Sequence, residues 1–241
     1  MAYFDFAEVP YTATDADAEH QTLSSRFDDV KTVALNEADD LLKLYKRACK
    51  TAPVELIDIP AQKTDFILDV LERFNVIDLA AEEGVRLTVL RFIADDPAAE
   101  ASLKKVVLHC EDRVDYVAIK NPARFKSSHF DGSGLEKTLA GWGTPIVTMP
   151  AVTQSTLDEL QRAKAKAGRW LPIAEAMQSE GFNKFAAHEL QHFLNAMYGQ
   201  WHAARARLLP AGVEAKRSPV LLGEKGEAAK TALDLEVNLG D

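Results

Sequence analysis

The side chains best suited to chemistry fall in a few short stretches. Asp15 and Asp17 lie in Thr14-Asp15-Ala16-Asp17, Asp58 in Ile57-Asp58-Ile59-Pro60, and Asn121 in Lys120-Asn121-Pro122. Each stretch follows an apolar run that reads as a β-strand. Carboxylates at the carboxyl ends of parallel strands can hold Mg²⁺ through water and orient a nucleophilic water at a phosphate. An asparagine in the same setting can read a base edge with its amide donor and acceptor. Taken singly, each Asp is also an ordinary turn or cap residue, so weight rests on the ordered set.

A competing motif stands later in the chain. His188-Glu189-Leu190-Gln191-His192 fits the zinc-hydrolase pattern, in which two histidines one helical turn apart grip Zn²⁺ and the intervening glutamate activates water. At about 100° per residue, Leu190, Phe193, Leu194, Met197, Trp201 and Leu208 form an apolar stripe, with His188 and His192 nearly opposite on the polar face. Asn195 and Tyr198 occupy the places where a metzincin would have its glycine and third histidine. His202, Glu214 and Glu224 are the remaining candidates for a third ligand.

Positioning these groups requires an alternation of strands and helices. Strand-like runs occupy residues 9–14, 31–35, 54–59, 86–93, 116–120 and 145–149. Helical patterns cover 37–50, 65–82, 98–110, 153–167, 171–179 and 183–209. Several strands are apolar on both faces, so the expected fold is α/β, a three-layer, mostly parallel sheet flanked by helices. Pro60, Pro97, Pro122 and Pro150 follow strand ends, where ligand-facing loops of such sheets emerge. Residues 127–143, with Gly132, Gly134, Gly141 and Gly143, read as a mobile loop. The expected organisation is an α/β domain over 1–209 and a flexible or partly helical tail over 210–241.

The order of Asp-x-Asp after one strand, strand-Asp-x-Pro after another and Lys-Asn at the end of a later strand resembles the ParA/MinD-type branch of P-loop ATPases. The resemblance runs over residues 9–209 and includes plasmid partition, stability and conjugal-transfer relatives that end in a similar long aromatic-rich helix. It implies a P-loop NTPase-like fold and a nucleotide-dependent switch ATPase using ATP and Mg²⁺. Asp15 and Asp17 would match the acidic pair near the attacking water, Asp58 the magnesium carboxylate and Asn121 the adenine-reading amide. Pro150 and Ala151 would match the loop beside the base. The implied partners are nucleotide, a second copy in a homodimer, a partition or transfer protein and nonspecific DNA.

One departure bears on activity. Members of this family open with a Gly- and Lys-rich loop that surrounds the phosphates. The fourteen residues before Asp15 contain neither glycine nor lysine. The expectation is a chain starting at the family's second strand, through a shortened reading frame or as a degenerate homologue, with weak or no hydrolysis. A faint echo of the loop occurs at Lys225-Gly226-Glu227-Ala228-Ala229-Lys230-Thr231, although Glu227 and Ala229 stand at glycine positions. A noncatalytic interaction module on the same scaffold is the alternative.

Composition narrows the classes further. Lys and Arg total 28 against 37 Asp and Glu, a net charge of −9, so nucleic-acid binding would need a local basic patch. Arg162, Lys164, Lys166 and Arg169 beside Trp170 form one candidate, and Lys120, Arg124 and Lys126 another. Cys49 and Cys110 form neither a disulfide framework nor a Cys-x-x-Cys pair. No stretch approaches a membrane span, and a cytoplasmic location is expected. Phe185, Phe193, Tyr198 and Trp201 give the last helix more aromatic mass than a solvent-facing element needs, as sheet packing or a partner surface would.

Overall fold

The computed structural model describes residues 1–93, 96–122 and 129–219, apart from the side chain of Thr51. The Lys225–Thr231 echo, Glu224, Arg124 and Lys126 lie outside the described residues. In chain order the elements are α1 (Ala2–Phe6), β1 (Tyr11–Asp15), β2 (Lys31–Thr32), α2 (Ala38–Thr51) and β3 (Val54–Asp58). There follow α3 (Thr64–Arg73), α4 (Val76–Glu82), β4 (Thr88–Ile93), α5 (Pro97–Cys110) and β5 (Asp115–Lys120). The last are α6 (Gly134–Gly141), β6 (Ile146–Thr148), α7 (Gln154–Ala167), α8 (Ile173–Met177) and α9 (Lys184–Ala203).

All strand pairings are parallel, but they form two three-stranded sheets, ordered β2-β1-β3 and β4-β5-β6, where one sheet was expected. The layers follow from side-chain alternation along β5. Tyr116 and Ala118 join a core with Leu103, Val106 and Val107 of α5. Val117 and Ile119 face the other way, onto Met197 and Trp201 of α9. In the first sheet, Ile57 packs with Leu41 and Leu44 of α2 and Val70 of α3, while Val54 and Leu56 face Tyr198 and Trp201 of α9. Trp201, partly buried, therefore packs against core clusters of both sheets.

Local signals explain the helix boundaries. Asp96 accepts from Ala98 N at 2.9 Å with Pro97 in the first turn of α5, and Asn183 accepts from Phe185 N and Ala186 N at the start of α9. The single helix expected over 65–82 breaks at Phe74 and Asn75, where Asn75 takes a left-handed φ of 50°. Asparagine tolerates that conformation better than a β-branched residue does. The segment expected to be a mobile loop contains α6, whose start is capped by Ser133 accepting from Glu136 N at 3.1 Å. The helix expected over 183–209 ends at Ala203 and gives way to a 3-10 turn at Arg205–Arg207. The first ten residues of the expected tail are docked. Val213 and Ala215 pack on Tyr3, Phe4 and Val9, Lys216 N donates to Ala7 O at 2.9 Å, and Arg217 pairs with Glu8 at 2.7 Å.

Candidate functional site

The carboxyl end of the first sheet brings three of the sequence-selected acids together. Asp15 and Asp58 are register partners on β1 and β3, and Ala16 N donates to Asp58 O at 2.8 Å. Asp17 follows two residues after Asp15, and its charge reaches Asp58. Partial desolvation of the Asp58 carboxyl, then the charges of Asp15 and Asp17, pushes its pKa above the ordinary carboxylate range. Protonation or a neighbouring cation would relieve that repulsion, but among the described residues these acids do not form a group of three side chains that could hold a metal ion.

Asp15 has a different environment. It is fully buried, and Oδ1 accepts from Asp17 N at 3.0 Å. Its Oδ2 accepts from Leu23 N at 3.0 Å, Ser24 N at 2.8 Å and Ser24 Oγ at 3.0 Å. Four donors thus tie the 16–24 loop back onto β1 through one carboxylate. Asp17 accepts from Glu19 N at 3.2 Å and His20 N at 3.1 Å, and its Oδ2 lies 3.2 Å from His20 Nδ1. The His20 backbone bond is the main cause holding its pKa below the usual range.

Asn121 follows the carboxyl end of β5, and Pro150 and Ala151 that of the neighbouring β6. Lys120 pairs with Thr148 across β5 and β6, and Met149 N donates to Lys120 O at 2.8 Å. Asn121 is half-buried. Lys120 itself is engaged by Asp131 and Glu136 and lies over the Phe130 ring at 5.4 Å, so its charge is already balanced. Side chains of α3, α5 and β4 link the two sheets. Thr64 Oγ1, just past β3, is 3.1 Å from Ser102 Oγ on α5, which also accepts from Arg91 of β4 at 2.6 Å.

No family model, curated protein or solved structure matches the chain.

The zinc motif resolves into two separate structural jobs. His188 and His192 are exposed on α9, with their Nε2 atoms 3.0 Å apart. Glu189 turns instead to α7, accepting from Thr153 N at 2.9 Å, Thr153 Oγ1 at 2.7 Å and the Thr156 hydroxyl. The Thr156 bond, followed by that of Thr153, lowers its pKa, which suits a fixed carboxylate better than a proton-transfer group. Among the described residues, no three His, Cys, Asp or Glu side chains converge on a metal position. His202 is remote from the pair, 3.5 Å from Tyr3 Oη and 3.3 Å from Ser218 Oγ.

The basic patch is largely compensated. Arg162 pairs with Glu159, Lys166 with Glu180 and Arg169 with Glu175, and Lys164 lies 4.3 Å over Trp170. Sequence reasoning missed Glu55, which sits beneath the first sheet. Burial would raise its pKa, but hydrogen bonds from Thr12, Thr14 and Arg47, with the Arg47 charge, bring it below the usual range. It also missed a cavity of about 580 Å³ lined by Tyr11, Arg26, Lys31, Arg47, Arg169 and Glu175, beside the amino-terminal half of β1 and away from the Asp58 rim. These residues come from separate segments, and no spacing in the sequence signals them.

Proposed function

We propose that this chain is a ParA/MinD-like nucleotide switch, or its degenerate descendant, that binds ATP·Mg²⁺ across the carboxyl rim. The observation carrying this reading is the register pair Asp15–Asp58 with Asp17 beside it, at the carboxyl ends of parallel strands. Asp58 would hold Mg²⁺, which neutralises phosphate charge when bound. Asp17 would orient water, and Asp15 would fix the loop that presents Asp17. Asn121, with Pro150 and Ala151 beside it, would receive the adenine. The described residues supply no cradle of amides and lysines around the phosphates, so hydrolysis is proposed to be slow and binding modest. Homodimerisation, a partition or transfer partner, nonspecific DNA contact and a cytoplasmic setting belong to the same proposal. Among the described residues, no helix is long and apolar enough to cross a membrane.

Titration of a fluorescent ATP analogue with and without Mg²⁺ tests the reading. The expected result is Mg²⁺-dependent binding weakened at least about tenfold, roughly 1.4 kcal/mol, by Asp58→Asn. Equal binding by the variant, or none by the parent chain, rejects it. The second reading, a noncatalytic interaction module, is favoured by the exposed Leu90 and Phe92 on β4.

A further inference from the structure

The strand lengths leave a gap beside the first sheet. β2 pairs with β1 only at Thr14 and Asp15, so on that side the Tyr11–Ala13 stretch of β1 has no paired strand among the described residues. The cavity of about 580 Å³ borders this stretch, with Tyr11, Thr12 and Ala13 among its lining residues. Its volume suits a small molecule, since ligand pockets typically span about 300–1,000 Å³. Tyr11 opens β1 and Asp15 closes it, so the cavity lies toward the other end of the strand from the Asp15–Asp58 pair.

One side chain of the lining lacks the partner its chemistry calls for. Arg26 lies 5.0 Å over the Trp170 ring, and its Nε is buried with no hydrogen-bond partner. Among the described residues no carboxylate pairs with its guanidinium. The neighbouring arginines differ, because Arg47 pairs with Glu55 and Arg169 with Glu175 at 2.9 Å. Lys164 lies over the same indole at 4.3 Å, so two cations crowd one ring. A buried donor without an acceptor is destabilising, and a guanidinium steadied on an aromatic face is a ready fork for an oxyanion.

The rest of the lining selects the kind of anion. Arg26, Lys31, Arg47 and Arg169 are matched in number by Asp5, Asp28, Asp29 and Glu175. That balance gives a doubly charged phosphate no net attraction, whereas a single negative charge is enough to pair with Arg26. The Tyr11 hydroxyl is committed to Asp5 at 2.8 Å, which leaves its ring, with Phe27 and Pro172, as the apolar part of the wall. We propose that this cavity binds a small organic monocarboxylate, its carboxylate held by Arg26 and its apolar body against Phe27 and Pro172. The site uses none of the residues assigned to the nucleotide, so it stands or falls apart from that reading.

NMR titration of the full chain tests this, with cinnamate as the probe and the neutral cinnamamide as its isostere, read at the Arg26 Nε–Hε resonance and the backbone amides. The expected result is millimolar or tighter binding of cinnamate that shifts Arg26, Phe27 and Tyr11. Cinnamamide should bind at least tenfold more weakly, and Arg26→Gln should lose cinnamate affinity by a similar factor. The comparison of the two probes uses the parent chain and does not depend on how the variant folds. Equal binding of the two probes, shifts centred on Asp58 or Asn121, or no shift at millimolar cinnamate overturns the proposal. Tighter binding of inorganic phosphate than of cinnamate also overturns it, by assigning the cavity to phosphate.

Discussion

Replacing Asp15 by alanine removes an acceptor that serves Asp17 N, Leu23 N, Ser24 N and Ser24 Oγ. A hydrogen bond to a charged group contributes roughly 1.5–3 kcal/mol, so four of them set a ceiling of about 6–12 kcal/mol. That ceiling is not reached, because Leu23 and Ser24 are half-exposed and water can satisfy their amides once the carboxylate is gone. Loss of the charge also removes its repulsion of Asp58. The expected destabilisation is about 3–5 kcal/mol, within the range for breaking a buried hydrogen-bond network. With a urea m value near 3 kcal/mol/M, the midpoint followed by circular dichroism should fall by roughly 1–2 M. Asp15→Asn keeps an acceptor oxygen but points an NH₂ at donors, and should fall between alanine and the parent. An alanine variant with an unchanged midpoint would refute the assignment of Asp15 as the anchor of the 16–24 loop.

Asp58→Asn should raise the urea midpoint at pH 7. The folded-state pKa of Asp58 lies above its ordinary value of 3.8, so the folded protein binds the extra proton and loses stability as pH rises through that window. The gain from asparagine should shrink as pH falls through the raised folded-state pKa and vanish below the ordinary value of 3.8, where the parent carboxyl is protonated in both states; a gain independent of pH would refute the cause. Glu189→Gln should lower thermal stability through the α7 contacts, while metal analysis of untagged His188→Ala should match the parent; stoichiometric zinc lost in that variant would restore the hydrolase reading. Trp201→Ala should cost about 2–3 kcal/mol in urea unfolding because the partly buried indole packs against core clusters of both sheets. A loss below about 1 kcal/mol would show that α9 does not couple them.

The strands were legible because short apolar runs end at prolines and acids, and Asp58 was legible because it closes such a run. The break before α4 was not, since Asn75 interrupts a continuing apolar pattern and its left-handed backbone leaves no periodic mark. Four glycines concealed α6, although Ser133 with Leu135 and Leu139 is the cap-and-stripe signal that could have revealed it. The anchoring role of Asp15 was hidden because most of its donors are backbone amides, which every residue but proline carries. The two-sheet division was hidden for another reason: alternation identifies strands and their faces, while neighbours are chosen by packing in three dimensions.

The central claim is that two strand-end clusters, one acidic and one carrying an amide, receive a single nucleotide. The most direct measurement is paramagnetic broadening of backbone resonances by Mn²⁺ bound with a nonhydrolysable ATP analogue. The account predicts that Asp17, Asp58, Asn121 and Ala151 broaden together, and that Mn²⁺ alone affects only Asp17 and Asp58. Broadening confined to the acidic cluster when nucleotide is present, or no localised broadening, would contradict it.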